Sequence, residues 1–222
     1  MNQDEHKRNE QREHVMEFAL NEFIQKGLKA VKMNDIAFAL SMSKRTLYEM
    51  FGDKEGMLIE CFKFNQKKGH QEYEKLRKES KNSLETLIKL YRQRMNEMSH
   101  VNPAFLSDIQ KYDRVMEHLE SVSKEKNEMA LRFSEECVEN GLFRKDVDFK
   151  LLISSFDVMN KALLSNEIYK QYGLENMVNT INMTFLRGLC TQKGLEIIDS
   201  GNYSLETDEE TDNTNQPENS DK

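Results

Sequence analysis

The side chains best suited to molecular recognition are grouped in residues 44–48. Lys44 and Arg45 are basic, and Thr46 and Tyr48 carry hydroxyl groups. Arginine can donate two hydrogen bonds to a guanine edge, and threonine or tyrosine can reach a phosphate or a thymine methyl group. Leu47 is the apolar residue among them, so a short helix here would bury one face and present the polar side chains on the other. Such a helix suits insertion into the major groove of DNA.

Two very short helices around a tight turn would position these side chains. Ile36, Ala37 and Leu40 place apolar groups on one face of the first helix. Residues 41–43 are too few for anything but a turn, and Ser43 can cap the second helix by accepting hydrogen bonds from its free backbone N–H groups. The arrangement is a helix-turn-helix. Because ordinary helical hairpins share this spacing, an alternative stays open: a helical protein–protein adaptor without sequence-specific DNA binding.

Motifs for covalent chemistry are missing from the sequence. It has no glycine-rich phosphate loop, no H-E-x-x-H, no G-x-S-x-G and no Cys/His pair at a usable spacing. Cys61, Cys137 and Cys190 lie far apart, without clustered histidines, and are expected to be small buried hydrophobic residues. We therefore expect no enzyme activity, no metal site and no cofactor.

The composition indicates an all-α protein. The 222 residues include only two prolines and nine glycines, strong helix formers dominate, and no stretch alternates β-branched with polar residues. No apolar run approaches the roughly 20 residues that cross a bilayer. The charged N-terminus lacks the apolar stretch of a signal peptide. These features predict a cytoplasmic protein with no membrane partner.

The net charge of −7 is unevenly distributed. Residues 1–54 carry nine Lys/Arg and nine Asp/Glu, and residues 55–198 carry twenty-two of each. Residues 199–222 hold eight acidic residues and one lysine, and therefore supply the whole net charge. This segment has too few large apolar residues to form a core, so it is expected to be a disordered acidic tail. The overall acidity is no argument against DNA binding.

Helical periodicity continues through the rest of the chain and predicts about nine helices. Gly27 is expected to end the first helix near Lys26, and a later helix stops before Pro103. Residues 140–141, Asn-Gly, close a long helix, and Asp148 is a candidate cap for the next. Basic residues 7, 8 and 12 alternate with glutamates, which favours a solvated helix face over an arm that binds DNA.

The segment around the turn resembles the signature of TetR-family repressors. That signature has an Ile-Ala pair, a turn, Ser, Thr-Leu-Tyr, Phe, and a Lys that opens the next helix. The matching positions are Asp35, Ile36, Ala37, Ser43, Thr46, Leu47, Tyr48, Phe51 and Lys54, with Phe23 and Gly27 upstream. The resemblance covers residues of about 10–60; beyond them it is one of helix pattern only. It implies a three-helix helix-turn-helix domain in residues 8–54 and a larger helical ligand-binding and dimerisation domain in residues 55–198.

The resemblance also implies roles for the DNA-binding residues. Tyr48 and Lys54 would hold phosphates, and the base-reading candidates would be Lys44, Arg45 and Thr46, in a DNA-binding set that also includes Lys32 and Ser43. Three positions depart from the family pattern. Ser41 stands where glycine is usual, which predicts some strain or an altered turn. Lys32 replaces a capping threonine and could contact phosphate instead, and Met50 replaces an aromatic residue.

The second domain is expected to bind a small molecule and a second copy of the chain. Methionine and aromatic side chains can line an adaptable apolar pocket, although each alone is more often core. The candidate ligand-binding residues are Tyr91, Met95, Phe105, Tyr112, Met116, Phe133, Phe156 and Met159. The last two helices, about 149–165 and 174–191, are strongly apolar and would form the homodimer interface, as family members imply. A small apolar or amphipathic effector would release a palindromic operator, with the helix of residues 54–78 as the lever.

Overall fold

The computed structural model describes residues 3–200, with side chains from residue 5 onward. Within this range the chain folds into eleven α-helices and no strands, which confirms the all-α prediction and exceeds the expected count of about nine. No described helix combines the length and apolarity needed to cross a membrane. The helices are α1 (Gln3–Lys26), α2 (Met33–Ala39), α3 (Lys44–Phe51), α4 (Lys54–Glu79), α5 (Ser83–Met98), α6 (Pro103–Ile109), α7 (Asp113–Glu139), α8 (Phe149–Ser165), α9 (Tyr169–Tyr172), α10 (Leu174–Leu189) and α11 (Gln192–Ser200).

The first two residues of the expected tail lie in a helix. Asp199 and Ser200 are the last residues of α11, and Asp199 accepts a hydrogen bond of 2.7 Å from the guanidinium of Arg187. An ion pair and the apolar face of α11 hold these two residues in a helix. Residues 201–222 lie outside the described residues.

Helix α1 ends where glycine was expected to end it. Gly27 has φ of +84°, a conformation that residues with a side chain rarely adopt. A Cβ atom on Gly27 would also lie only 3.2 Å from the Cβ of Ala104 in α6. Glycine thus stops the helix and lets α6 approach the loop between α1 and α2.

The turn between α2 and α3 keeps its geometry without glycine. Ser41 has φ of +52°, which lies in the left-handed region. For a residue with a Cβ atom, this conformation costs about 1 kcal/mol or more. The strain expected from a serine at this position is therefore present in the backbone.

One core joins the first four helices to α6 and α7. Apolar residues from α1 to α4 pack together with Phe105, Ile109 and Val115, which come from beyond residue 100. The packing crosses residue 54, so no gap in the core marks the expected domain boundary. The other buried members of this first core are Val15, Met16, Ala19, Phe23, Leu28, Val31, Met33, Ile36, Ala37, Leu47, Phe51, Met57, Leu58 and Cys61.

A second core lies among α5, α7, α8 and α11. Three aromatic rings form its centre: Phe143 makes an edge contact with Phe133 and stacks on Phe149, each at 6.0 Å between centroids. Cys137 and Cys190 are buried beside them, as expected for small hydrophobic residues. Burial raises the pKa of the Cys137 thiol to about 12, so the sulfur is protonated near neutral pH.

Helices α8 and α10 leave apolar side chains at the surface. Among the described residues, the one buried residue of α8 is Phe149 and that of α10 is Met177. Leu151 and Val158, seven residues apart on α8, are 65% and 67% exposed. Residues seven positions apart lie on the same helix face, so a single chain leaves an apolar stripe of α8 in contact with water.

Candidate nucleic-acid interface

Helix α3 is anchored by its apolar face. Leu47 and Phe51 are buried in the first core, whereas Lys44, Arg45 and Tyr48 are exposed. The helix has only eight residues, about two turns, so these two anchors govern the direction in which every other side chain points. The result is a short, firmly seated helix with basic and hydroxyl groups at the surface.

The beginning of α3 is capped as the sequence predicted. The hydroxyl oxygen of Ser43 accepts a hydrogen bond of 3.0 Å from the backbone N–H of Thr46. The two hydroxyl groups are also hydrogen-bonded to each other at 2.8 Å. Both side chains therefore have a structural role at the helix end, in addition to the DNA contacts that the family resemblance implies.

Arg45 carries an ion pair on the exposed side of α3. Its Nε donates to the carboxylate of Glu49 at 2.7 Å, and the arginine side chain is 88% exposed. Exposed pairs of this kind contribute only about 0.3–0.5 kcal/mol, so a nucleic acid can replace Glu49 as the partner at little cost. In the absence of nucleic acid, Glu49 holds the Arg45 guanidinium on the outer face of the helix.

Lys32 lies at the beginning of α2, with its side chain exposed. Its backbone N–H donates to the carboxylate of Asp35 at 3.0 Å, and the N–H of Asp35 donates to the Lys32 carbonyl at 2.9 Å. Asp35 thus supplies the side-chain cap that a lysine cannot. The ammonium of Lys32 is left at the surface near the first turn of the helix-turn-helix.

Lys54 points into the protein in this structure. Its ammonium donates to the backbone carbonyls of Leu28 and Val31, the latter at 2.6 Å, and lies 5.4 Å from the ring centre of Phe23. Burial lowers the pKa of this amine. The geometry differs from the predicted phosphate contact: Lys54 ties the start of α4 to the loop between α1 and α2.

Arg12 is a functional candidate that the sequence reasoning assigned to a solvated face. Its guanidinium donates to the Met50 carbonyl and to the Glu60 carboxylate, both at 2.8 Å, and lies 4.8 Å from the ring centre of Phe51. Its spacing offered one signal, because Arg12 lies three residues before Val15 and hence on the buried side of α1. The alternating charges around it obscured that signal.

Two comparisons identify the family of this domain. Residues 15–61 match the family model of the bacterial regulatory proteins, tetR family. The chain is also 27% identical over 150 residues to the HTH-type transcriptional repressor KstR2 of Mycolicibacterium smegmatis, covering 64% of this chain and 71% of that protein. Residues 15–61 therefore form a DNA-binding domain of the tetR type.

Solved structures of TetR-family proteins share the overall fold. A TetR-family protein from Rhodococcus sp. superposes with a TM-score of 0.62 at 12% identity, covering 82% of this chain and all of that one. The ketosteroid regulator KstR2 of Mycobacterium tuberculosis gives 0.51 at 20% identity, with coverage of 82% and 96%. A gamma-butyrolactone receptor gives 0.54 at 16% identity, with coverage of 87% and 94%. At these identities the likeness concerns the fold alone.

The predicted ligand-binding residues do not form one group. Phe105 and Tyr112 pack against the first core, whereas Phe133 packs in the second. Met116 is 39% exposed and lies on α7 seventeen residues before Phe133, which corresponds to about 25 Å along the helix. The full set is therefore too widely spread to line a single small-molecule pocket.

The remaining four candidates lie on α5 and α8. Met95 is buried, and Tyr91 donates a hydrogen bond of 3.0 Å from its hydroxyl to the side-chain oxygen of Asn179 on α10. Phe156 makes an edge contact with Phe185 of α10 at 5.3 Å between centroids. Met159 is partly buried, three residues beyond Phe156 on α8. Contacts with α10 thus link the α5 and α8 parts of the predicted set.

Proposed function

We propose that this TetR-family regulator is a ligand-responsive repressor that binds a palindromic operator as a dimer and releases it when a small apolar or amphipathic molecule binds. The observation that carries the proposal is the construction of α3. Leu47 and Phe51 seat the helix in the core, and its basic and hydroxyl side chains are turned to solvent. A helical adaptor would have no use for a basic surface on a helix seated in this way.

The predicted DNA-binding side chains at the surface divide into base-reading and phosphate-contacting groups in this proposal. Arg45 reads a guanine edge in the major groove after exchanging its partner Glu49. Lys44 and Thr46 complete the base-reading set, while Tyr48 and Lys32 contact phosphates.

Two predicted members of the set contribute to geometry as well as to DNA contact. Ser43 caps α3 through the N–H of Thr46, which orients the first turn of the reading helix. Lys54 fixes the loop between α1 and α2 through the carbonyls of Leu28 and Val31. A phosphate contact by Lys54 would require its ammonium to leave those carbonyls, so we assign its larger effect to the position of that loop.

The apolar surface of α8 and α10 supports a homodimer. Leu151, Val158 and, on the neighbouring α9, Tyr172 are at least half exposed in the single chain. Packing these helices against the same helices of a second copy would remove their apolar surface from water. A twofold dimer also places two copies of α3 opposite two half-sites of a palindrome.

Contacts between the two parts of the chain support transmission of a ligand signal. The N–H of Asn102, just before α6, donates to the Ile24 carbonyl at 2.9 Å, and its side chain donates to the Gln25 carbonyl at 3.0 Å. Asp108 in α6 accepts from the backbone N–H of Lys29 at 3.2 Å. A displacement of α6 would therefore move the end of α1 and the loop before the helix-turn-helix.

A second connection runs from α7 to the turn between α3 and α4. The Arg114 guanidinium donates to Asp53 at 3.0 Å, and its backbone N–H donates to the Glu55 carboxylate at 2.8 Å. Asp53 caps α4 by accepting from the N–H of Gly56 at 2.6 Å. Movement of α7 would therefore tilt the start of α4, the lever that the sequence suggested.

We place the effector site between α5, α8 and α10. Tyr91 and Asn179 form a polar pair there, with Phe156 and Met159 as the nearest apolar candidates on α8. Burial raises the pKa of Tyr91 to about 12, so its hydroxyl stays protonated at neutral pH. It can donate its one hydrogen to an acceptor on the effector in exchange for Asn179. This arrangement suits a largely apolar molecule that carries one polar group.

Binding to fragments of the DNA upstream of its own gene tests the function. The wild-type protein should bind one palindromic fragment tightly, with an affinity that falls steeply as salt increases. The double variant Arg45→Ala/Tyr48→Ala should lose this preference, whereas Lys124→Ala, which removes one exposed charge on α7, should keep it. Equal and weak binding of the wild type to every fragment would favour the adaptor.

A further inference from the structure

We propose that Arg12 is a positioning residue for the recognition helix: it sets the orientation in which α3 meets DNA without contacting DNA itself. The inference rests on the DNA-binding function proposed above. Arg12 is on α1, outside the helix-turn-helix, but its guanidinium reaches the far end of α3. It therefore acts on the base-reading side chains through the backbone of the helix that carries them.

The guanidinium of Arg12 joins three helices. It donates to the carbonyl of Met50 at the end of α3 and to the carboxylate of Glu60 in α4, each at 2.8 Å. It also lies over the ring of Phe51, with 4.8 Å to the ring centre. The planar, multiply donating guanidinium can make all three contacts at once, which a lysine ammonium cannot reproduce.

The end of α3 needs such a partner because it is short. The last carbonyls of a helix have no partner within the helix, and in about two turns they are a large share of the whole. The N–H of Gly52 donates a hydrogen bond of 2.8 Å to the Tyr48 carbonyl, and the Arg12 guanidinium donates one to the Met50 carbonyl. With Ser43 capping the first turn, both ends of the helix are held.

Holding both ends matters because base reading depends on position. Binding groups generally need to lie within about 0.5 Å and 10–20° of their productive geometry. Arg45 and Tyr48 sit between the two anchored ends of α3. If the C-terminal end of α3 were loose, the helix could rotate and the guanidinium of Arg45 would lose its alignment with a base edge. The electrostatic attraction of the domain to DNA phosphates would be almost unaffected.

Glu60 holds Arg12 in place from α4. Its carboxylate also accepts from Lys63 at 2.9 Å, and hydrogen bonds from Lys63 and then Arg12 lower its pKa against the effect of burial. It is therefore ionised under ordinary conditions. The Arg12 and Glu60 side chains are each about one-third exposed, at 33% and 32%, whereas Arg8, one turn earlier on α1, is exposed.

The test compares operator DNA with unrelated DNA of the same length over a series of salt concentrations. The variants are Arg12→Lys, which keeps the charge, and Arg8→Ala as the matched control on the same helix. We expect Arg12→Lys to lower operator affinity about tenfold, with unchanged affinity and salt dependence for unrelated DNA. Arg8→Ala should leave the ratio of the two affinities at the wild-type value.

The ratio separates positioning from folding, since a smaller folded fraction lowers both affinities by the same factor. If Arg12→Lys does not fold, Glu60→Gln provides the same readout and should also lower the ratio. An unchanged ratio in the variants would overturn the proposal. A different result with Arg12→Gln would also overturn it: equal losses of affinity for both DNAs, together with a salt dependence of binding whose slope is smaller by about one. That result indicates a direct contact between Arg12 and a phosphate. A wild type that prefers no DNA would instead refute the regulator itself.

Discussion

The helix-turn-helix and the helices α8 and α10 differ in how far the single chain buries their apolar side chains. Helix α3 has eight residues, and its two large apolar anchors, Leu47 and Phe51, are buried within the chain. Helix α8 has 17 residues and a more apolar sequence, yet only Phe149 among them is buried. The first region completes its core with residues of its own chain. The second offers apolar surface that only another molecule can cover.

This difference matches two kinds of partner. The reading helix turns Lys44 and Arg45 outward, where a polyanion can replace water and surface carboxylates. Helix α8 turns Leu151 and Val158 outward, where the favourable partner is another apolar surface. In the proposed dimer, the contact that covers the apolar surface of α8 also brings two copies of α3 to one operator.

The largest expected effect comes from placing charge on the α8 surface. Leu151→Asp with Val158→Asp would bury four carboxylates in the proposed interface, so the dimer should dissociate. Operator affinity should then fall by about 10² or more, because the two half-sites are no longer bound together. Sedimentation equilibrium and operator binding measure the two consequences. Lys124→Asp, on α7, changes the charge of the chain by the same amount and should neither dissociate the dimer nor weaken operator binding. A double α8 variant that stays dimeric would show that the interface lies elsewhere.

A cavity in the first core should cost folding free energy instead. Leu47→Ala removes a fully buried side chain and should lower the free energy of unfolding by about 3 kcal/mol. Phe38→Ala, on α2, removes a side chain that is 88% exposed and should change it by less than about 0.5 kcal/mol. Urea denaturation followed by circular dichroism measures both. Equal losses for the two variants would mean that α3 is not seated as described.

Local features of the first region could be predicted from the sequence. The Ser43 cap and the end of α1 at Gly27 each depend on neighbours within a few residues. The burial of Leu47 follows from its place as the apolar residue among the polar ones of α3. Spacing and residue type report such neighbours directly. The left-handed turn at Ser41 followed from the family pattern, because the backbone there must turn whatever the residue.

Long-range partners could not be predicted in the same way. Arg12 meets Glu60 across 48 positions, and Lys54 meets Leu28 across 26, so neither pairing leaves a pattern along the chain. The predicted ligand-binding residues are divided between the two cores for a related reason. Methionine and aromatic residues identify the apolar face of a helix, but they do not show which other helix that face packs against. In the structure some of these residues belong to the first core and others to the second.

Relief of backbone strain should give a smaller gain, of similar size in the two regions. Ser41→Gly and Glu167→Gly replace the two described non-glycine residues with positive φ, at +52° and +53°. Each should raise the free energy of unfolding by about 1 kcal/mol, because glycine adopts the left-handed conformation without a Cβ clash. Ser41→Ala keeps the clash and serves as the control in urea denaturation. A gain for alanine equal to that for glycine would show that strain is not the cause.

The smallest expected effect concerns the ion pair that joins the end of the helix-turn-helix to α7. The backbone N–H of Gly56 chiefly, and then Arg114, hold the pKa of Asp53 below its usual value of 3.8. A lowered pKa stabilises the folded state above the unfolded pKa, and this contribution is lost as pH falls below about 4 toward the folded value. Asp53→Asn retains a helix cap without the charge. Its urea midpoint should lie slightly below that of wild type at pH 7, and the difference should narrow as pH falls below about 4. A difference that stays constant over this range would attribute the effect to capping instead of charge.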